Sequence, residues 1–294
     1  MAATATLPVG LQLVQAEPKY VSEMGRICYE SFKDLHDRHR FPLDLADAAV
    51  ARRVLGMLVE RKDFYSVVAL LGGEVVGSNF LSLSDPVAGI GPVTLEPYHQ
   101  GLGIGRALMQ NVIDYGRSNG MERIRLLQET FNVSSLSMYA SMGFDAREEV
   151  AFLQAPPAPA EDPSVRPVTE ADLLAVEQLA AKIYKTSRRN EVAAAIRYRF
   201  SPLLRERDGR VTGYLIPGIF GHGVAETEAD ASVLVGEMAR RMPPEAARFF
   251  CPLSQASFFR RVLKMGCRTI KVWTLMTIGP YEAPQEVWMP SVLY

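Results

Sequence analysis

The sequence predicts an α/β (α+β) protein in which one plan of strands and flanking helices occurs twice. Three observations carry this. An apolar, strand-like segment ending at Pro97 runs into the turn Gln100-Gly101-Leu102-Gly103-Ile104-Gly105-Arg106 and from there into an amphipathic helix. Strand-like and helix-like segments alternate through the first half of the chain. A proline-rich stretch, Ala155-Pro156-Pro157-Ala158-Pro159-Ala160-Glu161-Asp162-Pro163, is followed by a restart of the opening order.

The elements follow in sequence. A strand over Leu11 to Ala16 precedes a helix over Lys19 to Phe32 and another over Leu45 to Glu60. Between the two helices, Phe32 to Pro42 reads as a charged, aromatic loop carrying His36 and His39. Tyr65–Leu71 and Glu74–Leu83 form a hairpin around Gly72-Gly73. Ala88 to Leu95, bounded by Pro86 and Pro97, reads as a strand running toward the glycine turn. After the turn, Ile104, Ala107, Leu108, Val112 and Tyr115 recur at helical spacing, with Gly116 and Gly120 as stop signals. Arg123 to Glu129 is a further strand, and Asn132 to Phe144 a capped helix ending in glycine.

A glycine turn leading into a helix is built for an anion: the backbone can approach a ligand without a β-carbon in the way, and the helix presents N–H donors and the positive end of its dipole. The spacing narrows the ligand. Gly101-x-Gly103-x-Gly105 lacks the wider interval of a dinucleotide fold, and the Gly-Lys-Ser/Thr of a nucleoside-triphosphate loop is absent. Gln-x-x-Gly-x-Gly is met by Gln100, Gly103 and Gly105, after Leu95-Glu96-Pro97. This run resembles the acyl-CoA pyrophosphate loop of the GNAT superfamily of N-acyltransferases. Asn132, a short helix bearing Tyr139, and then Gly143-Phe144 repeat that family's second block, in the right order.

The resemblance implies tandem GNAT-like domains, each a mixed, mostly antiparallel sheet flanked by helices. Residues 1–155 would be a catalytic domain binding acetyl-CoA, 156–163 a proline-rich linker, and 164–294 a degenerate second copy with a structural or substrate-shaping role. In that second copy, Val165 to Asp172 leads into a helix over Leu173 to Tyr184. Gln255 to Cys267 can be laid on Asn132 to Phe144 so that Met265-Gly266 falls on Met142-Gly143, with a strand over Val272 to Met276 following. Gln255 then replaces Asn132, and Val262 replaces Tyr139. Where a second glycine loop should lie, Gly221-His222-Gly223 is followed by Glu226, Glu228 and Asp230, which suit a helix N-terminus but would repel a pyrophosphate by ~1 kcal/mol or more each. An unrelated α+β domain is the alternative. The C-terminal stretch Val287 to Tyr294 is expected to dock as a strand, in its own sheet or over the first domain's acceptor cleft.

Composition sets the outer limits. At 294 residues and 48% hydrophobic content the chain can build two cores. Lys+Arg of 32 against Asp+Glu of 33 leaves a net charge of −1, so no global field favours nucleic acid or an anionic membrane. Cys28, Cys251 and Cys267 are widely spaced among apolar neighbours, as expected of reduced thiols in a cytoplasmic protein, and clustered metal ligands are lacking. Met1 to Gly10 has neither a basic start nor an apolar core of a signal peptide, and no segment approaches membrane-spanning length. The expected partner is a small-molecule or peptide amine, with a second copy of the chain an open option and neither nucleic acid nor membrane expected.

Acyl transfer from a thioester to an amine needs a neutral amine, a polarised carbonyl and a proton for the departing thiolate. The resemblance nominates residues for each. Backbone groups at Val93, Thr94 and Leu95 would meet the pantetheine amides. The turn from Gln100 through Gly101, Leu102, Gly103, Ile104 and Gly105 to Arg106 would hold the pyrophosphate. Asn132 and Ser135 would touch the cofactor arm, although Asn132 could equally be a helix cap. Tyr139 would be the general acid, or a core aromatic beside Leu136 and Phe144. Glu129 would be the base, or an ordinary strand-end carboxylate, with Glu96 facing solvent. Phe32, His36 and His39 would shape the acceptor site, or else form a polar connector with two solvated histidines.

Overall fold

In the computed structural model of the protein, residues 7–158 and 161–294 are described. The first six residues of the N-terminal stretch, and Pro159 and Ala160 of the proline-rich linker, lie outside the described residues. The chain forms two compact units, one of residues up to 84 together with 88–124, the other of 85–87 together with 125–294.

The first unit holds β1 (Leu11–Gln15), α1 (Val21–His39), α2 (Ala48–Glu60), β2 (Phe64–Leu71), β3 (Glu74–Ser82), β4 (Ala88–Ile90), β5 (Thr94–Leu95) and α3 (Ile104–Ser118). Its sheet is antiparallel: β2 pairs with β1 and with β3, and β3 takes β4 and β5 on its far side. The hairpin turns through Gly72 and Gly73, both at positive φ. The strand expected over Ala88–Leu95 is two short ones, because Pro92 has no amide hydrogen for the ladder. A larger correction concerns α1, which runs seven residues past the expected Phe32. Lys33–Asp37 and Arg38–Asp34 pairs at i,i+4 support the extra turns, and Arg40 in the left-handed region ends them. His36 and His39 are therefore helical. Asp47 caps α2 by accepting the Val50 amide at 2.8 Å.

The second unit carries β6 (Ile124–Glu129, from Arg125 on), α4 (Val133–Ser141), β7 (Asp145–Gln154), β8 (Val165–Pro167), α5 (Leu173–Tyr184), α6 (Arg189–Arg197), β9 (Leu203–Arg207), β10 (Arg210–Leu215), β11 (Gly223–Ala225), α7 (Glu228–Arg241), β12 (Arg248–Pro252), α8 (Ala256–Lys264), β13 (Arg268–Ile278) and β14 (Val287–Met289). The repeated plan is visible strand by strand. The hairpin β9–β10 answers β2–β3, α7 and β12 answer α3 and β6, and α8 and β13 answer α4 and β7. Gly143 and Gly266 end their helices at φ 95° and 92°.

Two sheets build this unit. One has the order β14-β11-β10-β9-β8; C-terminal β14 thus joins the second copy's own sheet. The other runs β6-β13-β7-β12. In it the last strand of each repeat has changed places: β13 lies beside β6 of the first repeat, and β7 pairs antiparallel with β12 of the second. Strand alternation sends Val150 and Phe152 into one core with Trp273, Phe250 and Trp288, and Ala151 and Leu153 into another with Phe249, Cys251 and Val262. Because β7 precedes the proline-rich stretch and both its neighbours follow it, the compact units do not divide at that stretch. All three cysteines are buried and unpaired. No helix among the described residues is long and apolar enough to cross a membrane.

Candidate active site

In the first unit, β5 leads to the glycine turn. It lies so close to β3 that a β-carbon on Gly77 would stand 2.7 Å from the Thr94 carbonyl oxygen, and the Thr94 hydroxyl is 3.2 Å from that of Ser78. Val93 sits in the break between β4 and β5. Glu96 does not face solvent freely: Arg26 of α1 donates to it at 2.9 Å. A single 3-10 turn over Pro97–His99 follows, and Gln100 is extended and exposed.

Gly101 and Gly103 then take φ of 80° and 81°, where a β-carbon costs roughly 1–2 kcal/mol. Around Gly101 there is open space, with no atom within 4 Å of where a β-carbon would be. Gly103 is the N-cap of α3, and its carbonyl accepts the Ala107 amide at 3.0 Å. Buried Ile104 pins the turn to the core, leaving Leu102 and Arg106 exposed. No side chain caps α3 and its first turn has no acid. The positive end of the helix, whose first amides lack intrahelical acceptors, is thus not answered by a carboxylate of its own.

The corresponding place in the second repeat is filled. A β-carbon on Gly221 would fall 1.8 Å from the Ile216 carbonyl oxygen, and one on Gly223 2.6 Å from that of Tyr214, so these glycines serve chain packing. Asp230, buried in the first turn of α7, is bonded by Thr227 and by Arg207 at 3.2 Å. Arg210 at 2.6 Å and Lys182 at 3.2 Å hold Glu226, Arg210 foremost in pulling its carboxyl down to about 2. Gln255 caps nothing. It instead clasps the Trp288 backbone of β14, donating to its carbonyl at 2.8 Å and accepting its amide at 3.2 Å.

In the second unit, Asn132 caps α4, its Oδ1 accepting the Ser135 amide at 3.2 Å. Tyr139 is buried in the second turn of α4, its ring 6.0 Å from that of Phe144. Burial pushes the phenol up to about 12, against a smaller opposing pull from the Ser135 hydroxyl. Glu129 is also buried, and the ammonium of Lys271 donates to its Oε1. Glu129 is thus not the exposed strand-end acid that was the alternative to a base, and Lys271 as its partner was not expected. The signal for Lys271 was a lone lysine in the apolar run Thr269-Ile270-Lys271-Val272-Trp273. Of the acceptor-site candidates in the first unit, His36 is buried, with Nδ1 2.6 Å from the Phe32 carbonyl oxygen, so that nitrogen carries the proton. His36 is not solvated; His39 is.

A buried polar network in the second unit has no counterpart among the expected site residues. Arg188 donates to Glu191 at 3.0 Å and to the Tyr294 carbonyl at 2.9 Å, and His222 lies 3.1 Å from the Tyr214 hydroxyl. Burial, with Arg188 beside it, drives the His222 pKa well down and keeps the ring neutral.

Along the chain, a short strand, a glycine turn with an acid-free helix N-terminus, a second strand and an Asn-capped helix that bears Tyr and ends Gly-Phe follow one another in the expected order. Residues 25–144 match the family model described as "Acetyltransferase (GNAT) family", and this stretch is a GNAT acetyltransferase domain. No curated protein matches the chain in sequence. Solved structures are similar across nearly all of it. A protein from Pyrococcus horikoshii, provisionally described as an acetyltransferase, has 17% identity and a TM-score of 0.77, over 98% of this chain and 96% of that one. A GCN5-related N-acetyltransferase from Sphaerobacter thermophilus has 14% identity and a TM-score of 0.63, over 96% and 100%. The tandem GNAT protein from the clavulanic acid biosynthesis pathway has 15% identity and a TM-score of 0.58, over 92% and 100%. At such identities the likeness is one of fold, and the fold is that of tandem GNAT proteins.

Proposed function

We propose that the protein is an N-acetyltransferase that moves an acetyl group from acetyl-CoA to a primary amine of a small molecule or peptide. Residues 1–155 hold cofactor and chemistry, and residues 164–294, beyond the linker 156–163, support them. One observation carries the reading: of the two equivalent helix N-termini, that of α3 has neither a side-chain cap nor an acid in its first turn, whereas that of α7 is capped by Thr227 and carries Glu228 and Asp230.

In this reading the amides of 100–106, with Arg106, take the diphosphate, while Val93–Leu95, Asn132 and Ser135 meet the pantetheine arm. A main-chain amide at 93–95 polarises the thioester carbonyl. The amine nitrogen attacks that carbon, and Glu129 accepts the proton it sheds. As the C–S bond breaks, Tyr139 gives its proton to the thiolate; burial, which raises the phenol to about 12, keeps that proton in place at neutral pH while making the phenol a weaker acid. Phe32, His36 and His39 on α1 shape the acceptor site.

A second reading, an acyl-CoA sensor without turnover, is favoured by the burial of Tyr139 against Phe144, which core packing alone explains. Thiol release from acetyl-CoA measured across a panel of amines separates the two. Turnover on at least one amine is expected; tight binding with no turnover on any would support the sensor.

A further inference from the structure

The exchange of last strands puts a lysine of the second repeat beside the carboxylate assigned as base, and the inference drawn from this rests on that assignment. In the alignment that lays Gln255 on Asn132 and Gly266 on Gly143, Lys271 falls on Glu148. Had β7 kept the place beside β6 that β13 occupies, the matching position would bring a second carboxylate toward Glu129 and the two would repel. With β13 there instead, the side chain that reaches Glu129 from that strand is an ammonium.

A bulge aims it. Thr269 stands opposite Leu153 but Lys271 opposite Phe152, so Ile270 is an extra residue in β13. Without that insertion Lys271 would share the face of Ala151 and the opposite core. With it, the side chain lies on the face of Phe152, fully buried, its ammonium 5.4 Å from the Trp273 ring centroid. The indole is fixed edge-on against Phe250 at 5.6 Å and Phe152 at 6.4 Å. Two charges taken out of water are a poor source of stability, since an apolar pair of similar volume commonly does as well or better. A bulge and a buried ion pair aimed at one carboxylate are better explained by what they do to that carboxylate.

We propose that Lys271 is a positioning residue for the transfer, gripping one oxygen of Glu129 and fixing the orientation in which the carboxylate meets the amine proton. The second repeat then contributes to the chemistry of the first through this side chain. The test compares wild type with Lys271→Met, Lys271→Arg, Glu129→Gln and the double variant Glu129→Gln/Lys271→Met, reading kcat, acetyl-CoA affinity by titration, and thermal melting. Lys271→Met should lower kcat by about tenfold or more, with acetyl-CoA affinity changed by less than about twofold. Lys271→Arg should recover most of the loss, and the double variant should be no slower than Glu129→Gln. If Lys271→Met does not fold, Lys271→Gln takes its place with the same expectation. A slow Glu129→Gln beside a Lys271→Met of wild-type kcat overturns the role of Lys271 alone. So does a loss in Lys271→Met that Lys271→Arg shares and that cofactor affinity and melting follow. A Glu129→Gln of wild-type kcat overturns instead the assignment of the base.

Discussion

Tyr139 and Glu129 are both buried, and the fold treats them differently. Tyr139 is held protonated by an apolar setting, while Glu129 is met by a charge from a strand far along the chain. Tyr139→Phe removes one hydroxyl and keeps the ring against Phe144, so turnover should fall by about tenfold or more at unchanged acetyl-CoA affinity. Steady-state kinetics beside a binding titration check this, and unchanged turnover would return Tyr139 to the core. At this scale the sequence was informative where a motif fixes the position: Asn132 caps one helix, Tyr139 lies on it and Gly143 follows its end, in the expected order. It misled where burial depends on distant strands. Nothing local to Glu129 announces Lys271, and nothing near Glu96 announces Arg26.

The proposed function rests cofactor binding on the glycine turn and the helix it opens. Gly103→Val places a β-branched residue at φ 81° and narrows the approach to the first amides of α3. Acetyl-CoA affinity should fall by about tenfold or more, because the added side chain stands in the approach to those amides, with the remainder of the fold intact by circular dichroism. Helix α6 offers a pH test in the second unit. The Asp85 carboxylate accepts the Asn190 and Glu191 amides at its N-terminus, each at 3.1 Å, yet burial, and then the charge of Glu191, raise its pKa to about 6. Between the unfolded value of 3.8 and about 6 the folded form keeps a proton that the unfolded form has lost. Stability from this group therefore declines as pH rises through that window, by up to about 3 kcal/mol, and is level above it. Neutral His222 acts in the opposite sense, losing stability as pH falls below its ordinary range. Comparing urea unfolding of Asp85→Asn and wild type isolates the first effect: the variant should gain on wild type from pH 4 to 6, and parallel curves would contradict the account. Periodicity exposed α5 to the residue, whereas α1 outran its expected end because i,i+4 ion pairs make helix of what reads as a charged loop.

Across the whole molecule, the repeat was legible and the exchange of strands was not. Composition, the proline-rich stretch and the two glycine-ended helices revealed two copies of one plan. Pairing between β13 and β6, or β7 and β12, is a choice between near-equivalent partners that no local pattern encodes, and the mixed charges of Asp145 to Glu149 hide β7 altogether. The exchange has a direct consequence for truncation. A fragment ending at Ala155 leaves β7 without either neighbour and should be unfolded or aggregated by size-exclusion chromatography and circular dichroism. A soluble, cooperatively melting fragment would show that β7 can find another partner. The repeats also differ in the one feature on which the functional account turns, the vacancy of carboxylates at α3 against their presence at α7. Isothermal titration of the full chain with acetyl-CoA tests that most directly. The account predicts one site per chain, lost or weakened about tenfold in Gly103→Val and untouched by Gly221 substitutions that fold. Two sites, none, or one that is indifferent to Gly103 would contradict it.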